Sequence, residues 1–256
     1  MTAPSVTLFV AAAPAEGLAV ARALDPERFA DKSLGAVRWR AMPLSANFDL
    51  VITGVGKANA AAAVARVFDP ARHATVINIG VAGALPRSKL ALLDVVVADP
   101  SVYADEGVRT PERFIDMAKC GFAPNQGIAG TPSVAVGADA ALRDRLVLLL
   151  SRGAAHGVRP GPVATVSTCS GRNGIALRVV RETGAIAEAM EGAAVGFTVM
   201  RLNAEALAAA PGGTAAPFAE VRVISNTTGN RARQRWDLEG ALTRLSDVVR
   251  AIARTQ

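Results

Sequence analysis

The stretch from Glu188 to Asp237 holds most of the side chains in this chain that can do chemistry. It opens on Glu188-Ala189-Met190-Glu191-Gly192-Ala193-Ala194-Val195 and later runs Val221-Arg222-Val223-Ile224-Ser225-Asn226-Thr227-Thr228-Gly229-Asn230-Arg231. Read locally, an acidic residue opens a small-residue helix, and a β-branched strand then ends on two polar residues, Ser225 and Asn226. In an open α/β sheet the carboxyl ends of the strands are where ligands bind. A carboxylate such as that of Glu191 can accept hydrogen bonds from two neighbouring hydroxyls, whereas an asparagine amide donates hydrogen bonds but cannot deliver a proton. Arg231, Arg235 and Trp236 follow, and guanidinium groups suit bidentate binding of a carboxylate. Far upstream, Glu16 comes after Ala11-Ala12-Ala13-Pro14-Ala15, where an acid in the first turn of a helix is favoured by the helix dipole.

Elements able to position these groups can be read from the pattern. Strand-like runs occur at Thr7 to Ala12, Leu50 to Thr53, Val76 to Ile79, Asp94 to Ala98, Pro162 to Val166 and Val221 to Ser225. Several are apolar without alternation, the pattern of strands covered on both faces. Helical stretches lie between them at Ala15 to Leu24, Asn59 to Phe68, Asp139 to Leu150, Gly174 to Glu182, Met190 to Leu207 and Leu238 to Ala253. The expected architecture is a three-layer α/β/α sandwich around a mostly parallel or mixed sheet. Two glycine-punctuated turns are expected after strands, Gly54-Val55-Gly56-Lys57 and Gly80-Val81-Ala82-Gly83, where glycine lets backbone amides approach a ligand but also serves turn geometry alone. The Gly-, Pro- and charge-rich stretch from Tyr103 to Gly137 reads as an excursion over the site.

The totals narrow the function classes. With 256 residues, 51% apolar and 20% charged, the chain can bury a full α/β core, and residues 1–256 read as one domain. No apolar run is long enough to cross a bilayer. Val6 to Ala13 lacks a preceding Lys or Arg and reads as the first buried strand, not a signal peptide. Two distant cysteines, Cys120 and Cys169, make no disulfide framework, and His73 and His156 make no zinc cluster, so a reducing, cytoplasmic setting and no metal are expected. The net charge of +6 comes from dispersed arginines with few aromatics to stack bases, which argues against nucleic acid as a partner.

Together the Met190-Glu191-Gly192-Ala193-Ala194 block, the Ser225-Asn226 strand end and the order of the glycine turns resemble the purine nucleoside phosphorylase and nucleosidase superfamily. The resemblance also takes in Asp94 to Ala98 and Asp105-Glu106-Gly107, and so covers nearly the whole chain. It implies a nucleoside phosphorylase-like fold, a small-molecule nucleoside substrate, no cofactor and a homo-oligomer, dimer or tetramer. By the same resemblance Glu16 orients and deprotonates a water, and Glu191 holds the ribose hydroxyls over Met190. Ser225 and Asn226 meet the purine, with backbone amides around Gly80 and Val81 nearby. Glu188 is assigned to structure, and Arg222 to orienting a carboxylate from behind. Where relatives acting on adenosine-like substrates have Asp, Asn226 fits a 6-oxopurine. With Gly229, Arg231 and Trp236 following it, the chain looks most like a nucleosidase of a menaquinone pathway, whose nucleoside carries hypoxanthine and a benzoate. One arginine of the loop, Arg231 above all, is then expected on that benzoate.

Two departures from the superfamily pattern stand out. The stretch Val163 to Gly174 offers Thr165, Ser167, Thr168, Cys169 and Ser170 where relatives set a phenylalanine against the purine, and Val81 stands where they often have Ser. Three other readings remain open. A phosphorylase would need clustered arginines or an amide nest for phosphate near the sugar, yet no arginine precedes Arg22 and a carboxylate at residue 16 would repel the anion. A methylthioadenosine or S-adenosylhomocysteine nucleosidase is disfavoured by Asn226. A nucleoside-binding protein without catalysis would keep Glu191 and change the leaving-group residue.

Overall fold

Side-chain alternation along the first strand fixes the layering. In β1 (Val6–Ala11), Phe9 and Ala11 turn to one face and Leu8 and Val10 to the other, and all four are fully buried. A strand apolar on both faces must be covered on both, and two separate clusters do so. The computed structural model describes residues 5–30, 33–34, 39–128, 130–152 and 155–255.

In chain order β1 is followed by α1 (Pro14–Leu24), α2 (Pro26–Phe29), β2 (Met42–Pro43), β3 (Phe48–Ile52), α3 (Lys57–Val67), β4 (His73–Ala84) and β5 (Val95–Tyr103). The excursion predicted after Tyr103 carries a small hairpin, β6 (Gly107–Arg109) with β7 (Phe114–Asp116), and then β8 (Ala135–Val136). The remainder is α4 (Ala140–Ser151), β9 (Val158–Thr165), α5 (Asn173–Thr183), β10 (Ala187–Ala189), α6 (Gly192–Ala209), β11 (Phe218–Thr227), a 3₁₀ turn (Arg231–Arg233) and α7 (Leu238–Ala253).

The main sheet is mixed and runs β10-β9-β5-β11-β4-β1-β3-β2, with β8 on the edge of β5. One face packs Phe9, Leu50, Ile77 and Val221 against α1, α4 and α7, with Val20, Leu146 and Leu245 at the contact. The other sets Leu8, Val10, Val51 and Val76 against Ala60 and Val64 of α3 and Ala193 to Val199 of α6. Three layers result, as expected. One feature exceeds the expectation of an open sheet: β10 is parallel to β9 and also antiparallel to β4, so β4, β11, β5, β9 and β10 close on themselves.

Two local expectations are corrected. Gly80 to Gly83 is not a turn but the last third of β4, paired with β11 throughout. Its glycines are needed because neighbours fill the space a side chain would take: a Cβ on Gly80 would lie 2.4 Å from Glu16 Oε1, and one on Gly83 2.7 Å from Thr228 Cγ2. Nor does Glu188 open a helix. It lies in β10, and α6 begins only at Gly192, with Glu191 as its N-cap residue. The cause is long-range: residues 187–189 find strand partners on β9 and β4, which local helix propensity cannot anticipate.

Candidate active site

Glu16 is the third residue of α1, behind Pro14 in the first turn, and it both closes that helix end and reaches across to β4. Its Oε2 accepts from the backbone N–H of Ala13 at 2.8 Å and of Ala12 at 3.2 Å, closing the helix N-terminus. Its Oε1 crosses to β4 and accepts the Val81 N–H at 2.8 Å. The amide of Val81 itself, not a side chain at that position, thus supplies the contact. A carboxylate offers about four lone-pair sites. Three are filled by fixed amides, so the side chain is locked in place with one site left for a water.

Glu191 is held just as firmly. It is 4% exposed, with Oε1 accepting the Gly56 N–H at 2.9 Å and Oε2 facing Arg222 Nη2 at 3.5 Å. The Gly54-Val55-Gly56 turn points that N–H at the carboxylate through φ values of +84° and +98° at its glycines, a region closed to most side chains. Burial pushes the Glu191 carboxyl above its usual range, against the pull of Arg222 and the Gly56 amide.

Arg222 is the largest fully buried side chain. Its Nε donates to Glu220 Oε1 at 2.7 Å, and its Nη2 bonds Asn78 Oδ1 and faces Glu191. Burial works against its charge, but Glu220, Glu191 and Glu16 outweigh that and lift the guanidinium above its ordinary range. Ser101 Oγ donates to the second oxygen of Glu220. Gly192 is required directly above, since a Cβ there would fall 1.9 Å from Glu220 Oε2. The expectation that Arg222 braces a carboxylate from behind agrees with this geometry.

Asn226 sits at a β-bulge. The β11–β4 register shifts between Ile224 and Asn226, a device that re-aims side chains at sites. Ser225 Oγ donates to Asn226 Oδ1 at 2.9 Å and Asn226 Nδ2 donates to the Thr227 carbonyl at 3.0 Å, leaving one amide hydrogen free. That amide lines a cavity of about 240 Å³ with Gly83, Ser170, Glu188, Arg231 and Trp236. A second, wider cavity of about 660 Å³ is lined by Val55, Lys57, Asn59, Tyr103, Glu106 and Met190. Glu188 lines the first and Met190, two residues on, the second.

The structure therefore gathers Glu16, Gly80, Val81 and Glu191 around Arg222, and Asn226 and Arg231 at the smaller cavity, with Ser225 buried behind Asn226 and bonded to it. Arg231 lines the smaller cavity, not the one that Met190 lines. It bonds Gln234 Oε1 at 2.9 Å and stacks 4.6 Å over Trp236, because the 3₁₀ turn after Asn230 folds the loop back on the Asn226 cavity. Sequence reading assigned no binding role to Glu188, Gly83 or Lys57. Lys57 pairs with Asp105 and Glu106 of the excursion beside Tyr103, so that segment does reach the wider cavity.

A family model described as the phosphorylase superfamily matches residues 49–254. Futalosine hydrolase of Streptomyces coelicolor is 34% identical over 213 residues, which cover 80% of this chain and 78% of that one. Futalosine hydrolase of Acidothermus cellulolyticus is 34% identical over 246 residues, 96% of this chain and 89% of the relative. Among solved structures, the 5′-methylthioadenosine/S-adenosylhomocysteine nucleosidase of Neisseria meningitidis, bound to methylthio-immucillin-A, superposes with a TM-score of 0.72 at 19% identity. It covers 98% of this chain and all of that one, a likeness of fold. The chain belongs to the phosphorylase superfamily and, within it, to the futalosine hydrolase family.

Proposed function

We propose that the protein hydrolyses the N-glycosidic bond of futalosine, releasing hypoxanthine and dehypoxanthine futalosine, as a step of menaquinone biosynthesis. The observation that carries this reading is the Glu16 carboxylate held by amides of α1 and β4, with Asn226 on the neighbouring strand β11 at the wall of a cavity. Glu16 takes a proton from the attacking water as its oxygen bonds C1′. The C1′–N9 bond breaks with its electron pair leaving on the base, through an oxocarbenium-like ribose. Glu191 accepts hydrogen bonds from the 2′ and 3′ hydroxyls, and Met190 packs beneath the sugar. The free amide hydrogen of Asn226 steadies charge building on the N7 and 6-oxo edge, and the base takes its proton from solvent.

Hydrolysis is favoured over phosphorolysis by what surrounds the nucleophile position. Arg22, the nearest arginine in sequence, spends its guanidinium on the Phe29 and Ala30 carbonyls, and Arg222 is buried with its Nε and Nη2 bonded to Glu220, Asn78 and Glu191. An anion would meet Glu16 and Glu191 instead. We further propose that the enzyme is a cytoplasmic homo-oligomer. Cys120 and Cys169 are both free thiols, which suits a reducing compartment, and light scattering on the pure protein tests the assembly. Among the described residues no helix is long and apolar enough to cross a membrane.

The deciding experiment is incubation of the pure protein with futalosine, with and without phosphate, and chromatography for free hypoxanthine. Release independent of phosphate is expected. A strict phosphate requirement would make it a phosphorylase, and nucleoside binding without release would make it a binding protein.

A further inference from the structure

Across three adjacent strands, one glycine is flanked by two polar side chains. Gly83 of β4 is paired with Asn226 of β11 on one edge and with Glu188 of β10 on the other. Both neighbours lean over it: a Cβ at residue 83 would lie 3.1 Å from Asn226 Nδ2 and 3.6 Å from Glu188 Cγ. Strands are spaced about 4.8 Å apart, so the outer two stand roughly 9–10 Å apart, enough for the edge of a flat bicyclic ring between their side chains. Both residues line the same cavity.

Glu188 is 5% exposed, and among the described residues its oxygens accept from one residue only, Oε1 from the Ser170 N–H at 2.7 Å and Oε2 from the Ser170 Oγ at 2.6 Å. Two donors on two oxygens hold the group as an acceptor and leave a lone pair on each. Among the described residues it has no cationic partner, and burying a carboxylate without one is costly. A carboxylate kept at a cavity wall under those terms suits a ligand that brings its own N–H.

We infer that Glu188 is a specificity-determining residue whose carboxylate accepts the N1–H of a 6-oxopurine, while Asn226 donates to the N7 and 6-oxo edge of the same ring. The inference rests on the futalosine reading and deepens it. Hypoxanthine carries a hydrogen on N1; adenine presents a lone pair there, which the carboxylate repels. Two residues thus make two independent tests of the 6-oxo base, one at each end of its polar edge.

Titration calorimetry with free hypoxanthine, 1-methylhypoxanthine and adenine tests this on the wild type, Glu188→Gln and Glu188→Ala. Wild type should bind hypoxanthine at least about tenfold tighter than the other two, the size of one charge-assisted hydrogen bond. Glu188→Ala should erase the gap between hypoxanthine and its 1-methyl form. Glu188→Gln, which keeps the shape and can still accept from Ser170, should narrow the gap to adenine because its amide can donate to N1. If the alanine variant fails to fold, the glutamine ratio decides. A purely structural Glu188 would weaken all three bases alike, and unchanged ratios, or a wild type with no affinity for hypoxanthine, would overturn the inference. Hydrolysis of futalosine is measured alongside: hypoxanthine release with unchanged ratios sinks this inference alone, whereas Glu188-dependent ratios without release sink the proposed reaction alone.

Discussion

Arg222 Nη2 stands 3.5 Å from Glu191 Oε2 inside the protein, with Glu220 on the Nε side at 2.7 Å. One guanidinium thus braces the carboxylate assigned to the ribose and neutralises a second that no ligand reaches. Removing the cation while leaving the acids is the costly way to break such a group. Arg222→Met should destabilise the fold by about 3–5 kcal/mol. Arg222→Lys, which keeps the charge but loses the fork, should fold and show a raised KM. Chemical denaturation together with steady-state kinetics checks both.

Glu191 is expected to make the acid limb of the pH profile. Burial lifts its carboxyl above the ordinary 4.5, and only the ionised form accepts from both ribose hydroxyls. Lowering the pH through that raised value should therefore raise KM at a higher pH than an exposed glutamate would. The stability effect runs the other way. The folded-state value exceeds the unfolded one, so this group's contribution is complete below about pH 4.5 and is lost as pH rises through its folded value. As pH rises through that range, a KM–pH profile should show KM falling, a gain in binding, while urea titrations at two pH values should show stability falling as well.

Glu16→Gln should separate chemistry from binding. The amide oxygen can still accept from one backbone N–H, so the fold should survive, but glutamine cannot take the proton from water. A loss of about 10²–10⁴ in kcat with little change in KM is expected. A comparable loss carried entirely by KM would remove Glu16 from the catalytic step.

Gly80→Ala probes the same carboxylate from the opposite strand. Its Cβ would sit 2.4 Å from Glu16 Oε1 and 2.8 Å from Arg222 Nη1, too close for either to stay in place. The cost to stability should be about 1–3 kcal/mol. Activity should fall further than stability explains, because Glu16 must turn away from Val81. Thermal unfolding and kcat on the same preparation separate the two losses.

What the sequence disclosed, and what it hid, follows from range. The long elements were legible because their signals are local: the six strand-like runs and six helical stretches each lie on an observed element, with ends off by a few residues, most of all where β4 runs on to Ala84 and β5 to Tyr103. The strands β2, β6, β7, β8 and β10 are two or three residues long, too short to show a period; β2, β8 and β10 form against strands of the main sheet, and β6 and β7 against each other. Glu16, Glu191 and Asn226 could be singled out from their neighbours in sequence. Glu188 could not, because what makes it a wall of the cavity is Gly83 about a hundred residues earlier. The surroundings of Arg231 were hidden for the same reason, since only the folded loop shows it stacked on Trp236 beside Asn226.

Asn226→Asp tests the leaving-group assignment. The exchange keeps size and the bulge at Ser225 while replacing the free amide hydrogen with a carboxyl oxygen. Toward a 6-oxo base that oxygen faces two acceptors, N7 and the carbonyl, so a stabilising hydrogen bond becomes a repulsion. Toward a 6-amino base the same oxygen can accept from the amine, and in its protonated form it can donate to N7. The variant should therefore lose at least about tenfold more kcat/KM on futalosine than on its 6-amino analogue, one hydrogen bond to a charged group being worth about 1.5–3 kcal/mol. Equal losses on the two substrates would mean that the Asn226 side chain does not read position 6, and that the choice of base is made by Glu188 or by the backbone.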